Sequence, residues 1–219
     1  MKKRDGKALI GVLVYDGVEP IDVGGTADVI SMASRLLPNV ASTLIARKPG
    51  PVRLAGGVTV LAEHGIAAAP VCDIVIVCGG ASWPTVAADP AIQAYLRALA
   101  PAGVASVCTG AMILAAAGVL DGRAATTRRH AVGREAVAPL ARLGEHAAIR
   151  PRAAAVVDAT VVTGGGVSLA IDATLYLLGR LYGPDAAAEV ASVIEYDRAY
   201  AANRATLGIF IDPARQANG

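Results

Sequence analysis

The chain has 219 residues, enough to bury one sizeable core, and is expected to form one compact unit over 1–219. Its 20 Lys+Arg against 18 Asp+Glu leave a net charge of +2, and the basic residues are scattered apart from Lys2-Lys3-Arg4 and Arg128-Arg129. With one Phe, one Trp and six Tyr to stack on bases, this balance argues against a nucleic-acid partner and for a small molecule.

In chain order, the basic N-terminus precedes ALIGVLV (8–14), which is only seven residues long and is followed at once by Asp16 and Glu19. That pattern reads as a first β-strand and not as a signal peptide. Further continuous apolar runs follow at STLIA (42–46), DIVIVC (73–78), GVASVC (103–108) and TVVTG (160–164). Unbroken apolar runs are what strands buried on both faces look like. A helix is expected from Asp89-Pro90, with Ile92, Tyr95, Leu96 and Leu99 as its apolar stripe. Others are expected from Gly110 to Ala117, over 131–143, over SLAIDATLYLLGRLYG up to Gly183, and over 185–203 after Pro184. Strands alternating with helices imply a mostly parallel sheet covered on both faces. The segment AAAVVDATVVTGG departs from this, as a hairpin turning at Asp158-Ala159. No pattern marks the tail from about 205, which is expected to pack loosely. Asp73, Asp121 and Asp172 interrupt the most apolar stretches before they reach the roughly 18 residues a membrane helix needs. The three cysteines, Cys72, Cys78 and Cys108, are an odd number that suits a reducing compartment, so a soluble, cytoplasmic protein is expected.

Ligands of open α/β sheets bind at the carboxyl ends of the strands, so the loops there matter most. Cys108 stands where a strand turns directly into a helix, with small Thr109 and Gly110 after it, in the manner of a nucleophile elbow. The unsatisfied N–H groups of a helix start lower a thiol pKa, which predicts a reactive thiolate with the Thr109 amide aimed at whatever the sulfur binds. The competing role is a buried apolar cysteine, the role also assigned to Cys72 and Cys78. VCGGAS brings Gly79 and Gly80 to the end of a neighbouring strand, either as amide donors to developing negative charge or as an ordinary tight turn. TGGGVS makes a third such loop around Gly165, and it lacks the spacing of a phosphate motif. After the first strand come Asp16, Glu19, Asp22 and Asp28; Asp22 fits a helix N-cap or the proton partner of the thiol. Of the three histidines only His130 is placed toward the pocket, and neither these nor the cysteines have metal-ligand spacing, so no metal site is expected.

Together, IDVGGTADVI, VCGGAS, SVCTGAMILAAAGVLDGRAATT and VVTGGGVSLAID resemble the DJ-1/PfpI superfamily over about residues 8 to 200. The nearest branches are the isonitrile hydratases and the N-terminal domains of AraC-type regulators. The resemblance implies a flavodoxin-like three-layer α/β/α sandwich, of the kind shared with class I glutamine amidotransferases, and a homodimer. For the hydratase branch it implies a cysteine nucleophile followed by Thr, with an Asp in the first strand-to-helix loop. Cys108, Thr109 and Asp22 fall on those positions, with the Gly80 and Thr109 amides as anion donors. The implied activity is hydration of R–N≡C to an N-substituted formamide with no cofactor. Thr109, not His, follows the cysteine, which argues against a peptidase. Arg128-Arg129 replace a usual His-Trp, either making a cationic pocket wall or a solvated helix start, and Leu169-Ala170 replace a smaller pair that would leave more room near the cysteine. Two other functions compete: a glyoxalase or amidase-type enzyme using Glu19, and a non-enzymatic ligand or redox sensor in which Cys108 is oxidised.

Overall fold

A computed structural model describes residues 7–213 except 38, 100–102 and 147, so Lys2-Lys3-Arg4 and the end of the tail lie outside the described residues. The continuous apolar runs form the centre of the molecule. Strands β1 (Ala8–Leu13), β2 (Val40–Ala46), β6 (Ile74–Val77), β7 (Val104–Ser106) and β11 (Val161–Gly164) sit where the sequence pattern puts them. All four residues of β6 are buried, as are Ile10, Val12 and Leu13 of β1. The two-residue β5 (His64–Gly65) extends one edge beyond β2, and β10 (Val156–Ala159) and β12 (Ile209–Ile211) extend the other. The eight strands run in the order β12-β10-β11-β7-β6-β1-β2-β5. Pairing is parallel throughout except between β10 and β11, so β10 and β12 run against the other six.

Helices cover both faces, giving the three layers of a flavodoxin-like sandwich. On one side α1 (Pro20–Ala33), α6 (Leu169–Tyr182) and α7 (Pro184–Val193) pack together; on the other are α2 (Trp83–Ala87), α3 (Pro90–Leu99), α4 (Gly110–Ala116) and α5 (Pro139–Leu143). A hairpin of β3 (Gly50–Arg53) and β4 (Thr59–Ala62), and a pair of two-residue strands, β8 (Ala124–Ala125) and β9 (Arg150–Pro151), complete the architecture with α8 (Asp197–Thr206).

Four expectations need correction. The helix expected over 131–143 is only α5: Pro139 at its first position lacks an N–H and holds Ala138 extended, so 131–138 is an irregular loop. The helix expected over 185–203 is two, α7 and α8. Glu195 adopts a left-handed φ of 54° between them, and the Tyr196 hydroxyl and Asn203 amide bond Asp172 Oδ2 at 2.9 and 3.0 Å, turning α8 onto α6. The tail is partly ordered, because after Gly208 (φ 73°) residues 209–211 add β12 to β10. The hairpin turn falls one residue later than expected, at Thr160, whose φ is 75°.

Candidate active site

The strand order brings the carboxyl ends of β1, β6, β7 and β11 into one row, and every loop singled out in the sequence begins there. After β1, Glu19 is the N-cap of α1 and Pro20 its first residue. Asp22 therefore lies in the first turn, not at the cap, and its side chain is fully buried. An antiparallel bridge between Val18 and Gly80 ties this loop to the one after β6.

Cys108 occupies the corner between β7 and α4 with φ at 50°, a left-handed conformation that costs a non-glycine residue about 1–3 kcal/mol. Backbone contacts hold it there. Its N–H donates to Gly165 O at 3.0 Å, and its carbonyl accepts the Thr127 hydroxyl at 2.6 Å. Close approach explains two neighbouring glycines. A Cβ on Gly110 would lie 2.0 Å from Val77 O, and one on Gly79 would lie 2.4 Å from Thr109 N and 2.9 Å from Asp22 Oδ2.

The amides of the glycine loop act mainly on other site residues. Gly79 N–H donates to Asp22 Oδ2 at 2.7 Å and Gly80 N–H to Thr109 Oγ1 at 2.9 Å, so in this form both position side chains instead of standing open to a ligand. Gly165 contributes its carbonyl to the Cys108 backbone; the glycine beside the sulfur is Gly166, whose added Cβ would come within 3.0 Å of Cys108 Sγ. The Thr109 backbone N–H points toward the sulfur and favours its charged form.

The expected low thiol pKa is overturned. Cys108 is 3% exposed; its burial and the neighbouring Asp22 push the thiol up to about 12, outweighing the Thr109 N–H and hydroxyl and the Arg128 charge. Burial likewise raises Asp22 to about 7, with the nearby Glu19 charge adding to it, against the lowering effects of the Gly79 N–H, the Cys108 thiol and Arg128. Asp22 Oδ1 has no aligned hydrogen-bond partner. The pair is thus a buried thiol that donates a hydrogen bond to a buried carboxyl group.

Above the pair opens a cavity of about 540 Å³, lined by Glu19, Gly80, Ala81, Cys108, Thr109 and Val167, and by Arg128, Val132, Arg134 and Glu135 of the 128–138 segment. Arg128 is a cavity wall and not a solvated helix start. His130 is exposed and Arg129 half-buried, and neither is among the lining residues. Leu169 is buried with its Cδ1 against Gly165 and does not enter the cavity. Sequence reasoning assigned no role to Thr127, Arg134 or Glu135; only the Thr pair in ATT, within a segment already singled out, offered a signal for the first. Among the described residues, no group of three or more His, Cys, Asp or Glu could hold a metal ion.

A three-layer sandwich with a buried cysteine in a strained strand-to-helix corner defines the class of protein. The chain belongs to the DJ-1/PfpI family, whose model matches residues 8–180. It is 32% identical to the isonitrile hydratase of Pseudomonas putida over 189 residues, 85% of this chain and 78% of that one. It is 27% identical to the HTH-type transcriptional regulator GbdR of Pseudomonas aeruginosa (strain UCBPP-PA14), covering 86% of this chain but about half, 51%, of the regulator. Among solved structures, a ThiJ/PfpI family protein from Pseudomonas syringae superposes with a TM-score of 0.73 at 26% identity, over 88% of this chain and 76% of the other. Drosophila melanogaster DJ-1beta matches the fold with a TM-score of 0.70 at 20% identity, over 86% and 98% of the two chains.

Proposed function

We propose that this protein hydrates isonitriles, R–N≡C, to N-substituted formamides, with Cys108 as nucleophile and Asp22 as its proton partner. The observation that carries the reading is the geometry of the corner, with Cys108 held at φ 50° in the cavity lining and the buried Asp22 carboxyl group, fixed by the Gly79 N–H, behind it. The similarity to the Pseudomonas putida isonitrile hydratase supports it.

The chemistry follows from the pair. Asp22 takes the thiol proton and returns it to the terminal isonitrile carbon as the C–S bond forms, leaving the thioimidate R–N=CH–S–Cys108. Water adds to that carbon, its proton passing through Asp22 to nitrogen. The C–S bond then breaks, sulfur regains a proton from the new hydroxyl and R–NH–CHO departs, so that R–NC plus water has become the formamide. A carboxyl group near pKa 7 suits this exchange, since it both accepts and gives a proton near neutrality. The Thr109 amide is the donor assigned to developing negative charge, with the Gly80 N–H holding the Thr109 hydroxyl in place. The dimer known for the family is carried into this reading.

Incubation with cyclohexyl isocyanide, followed by mass spectrometry for N-cyclohexylformamide, tests the proposal with Cys108→Ala as control. Formamide from both proteins, or from neither, refutes it. The second reading, ligand sensing without turnover, draws on the likeness to HTH-type regulators.

A further inference from the structure

The outer wall of the cavity carries a charge arrangement that the proton chemistry does not use. Arg128 places one guanidinium nitrogen 2.6 and 2.8 Å from the two Glu135 carboxylate oxygens, and its side chain is only 11% exposed. The Val132 N–H also donates to Glu135 Oε2, at 2.9 Å, so this carboxylate is held on Arg128 from both sides. Arg134 lines the same cavity, and its side chain has no hydrogen bond or ion pair among the described residues. At the inner end lies Glu19, close enough to Asp22 to raise its pKa.

The cavity is therefore polarised. The Glu19 and Asp22 carboxyl groups sit toward the thiol, and the unpaired Arg134 cation sits at the exposed rim. The Arg134 guanidinium at the rim can donate a charge-assisted hydrogen bond to an anionic group of a bound molecule, whereas a neutral apolar arm would leave it with water alone.

We propose that the substrate carries a carboxylate opposite its reactive carbon and that Arg134 selects it, pointing the electrophilic end at Cys108. This rests on the isonitrile reading and narrows its substrate class to isocyano acids. The volume of about 540 Å³ admits a small molecule of that kind.

The test compares isocyanoacetate with its methyl ester in turnover, and N-formylglycine with its methyl ester in calorimetric binding. The parent is expected to favour each acid over its ester by about tenfold, the scale of one charge-assisted hydrogen bond. Arg134→Gln should bring the ratio to about one, and Arg134→Glu should invert it. Hydration of both isonitriles with equal efficiency, unaltered by either substitution, overturns the carboxylate site while leaving the hydratase reading standing. Preferential binding of N-formylglycine that depends on Arg134, with neither isonitrile consumed, supports the carboxylate site and refutes the hydratase reading. Equal binding of the formyl acid and ester by the parent overturns the site whatever the turnover.

Discussion

The cysteine corner and the 128–138 wall face each other across one cavity, yet they are built on opposite principles. The corner is backbone: Cys108 N–H and C=O, the Gly79 and Gly80 amides and the Val77 carbonyl fix Cys108, Thr109 and Asp22 at the ends of buried strands. The wall is largely side chain: Arg128, Glu135 and Arg134 stand on an irregular loop held by the Arg128–Glu135 ion pair, the Val132 N–H to Glu135 and the Leu140 N–H to Arg128 O, and ended by Pro139. On the proposed reading, the difference teaches that reactivity is attached to the rigid scaffold, where strain is over-determined, while substrate choice is attached to the part that tolerates change.

The comparison predicts a descending series of effects. Cys108→Ala should reduce formamide formation by on the order of 10³-fold or more, measured by mass spectrometry against the parent. Asp22→Asn should slow it by about 10²–10⁴-fold and flatten the pH profile. In the parent the base form is the competent one, so the rate should rise with pH through about 7. Stability should move the other way. The folded pKa of Asp22 lies above its ordinary value of 3.8, so its contribution is complete below that value and is lost as pH rises through about 7. Denaturant titrations of Asp22→Asn should lack this loss; an identical slope in the two proteins would count against the buried carboxyl.

Gly79→Ala should destabilise by about 1–3 kcal/mol, through the clash with Thr109 N and Asp22, and should depress activity with it. Thr127→Val leaves the Cys108 carbonyl with only the longer bond from the Ala111 N–H, and is expected to cost about 1–2 kcal/mol in denaturant melts. Smallest is Glu135→Gln: the exposed side of this pair limits the stability change to under about 1 kcal/mol, while KM should shift more than kcat. A larger kcat loss than KM change there would merge wall and corner into a single unit.

Much of the corner was legible in the chain. Continuous apolar runs announced β1, β6, β7 and β11, and the residues that follow them, Asp22, Gly79-Gly80, Cys108 and Gly165, all reach the site because the strands are neighbours. Their detailed roles were less legible. Asp22 looks like an N-cap beside Pro20, but Glu19 takes that position and leaves the carboxylate for the Gly79 amide across the sheet. The wall was hidden, because Val132, Gly133 and Ala136 through Leu140 can be laid on a helical pattern until Pro139 and the Arg128–Glu135 pair are weighed together. Likewise, nothing local to Ile209–Ile211 says that β10 waits as its partner, or that Asp172 will anchor Tyr196 and break the last helix in two.

By itself the sequence determined the layered α/β class, the strand-end row and the cysteine corner, because those depend on hydrophobic runs and turn-forming residues that act over a few neighbours. Only the tertiary structure decided the charge states. A helix start alone lowers a thiol pKa, but Cys108 is enclosed by four loops and set against Asp22, and desolvation by residues distant in the chain reverses the sign.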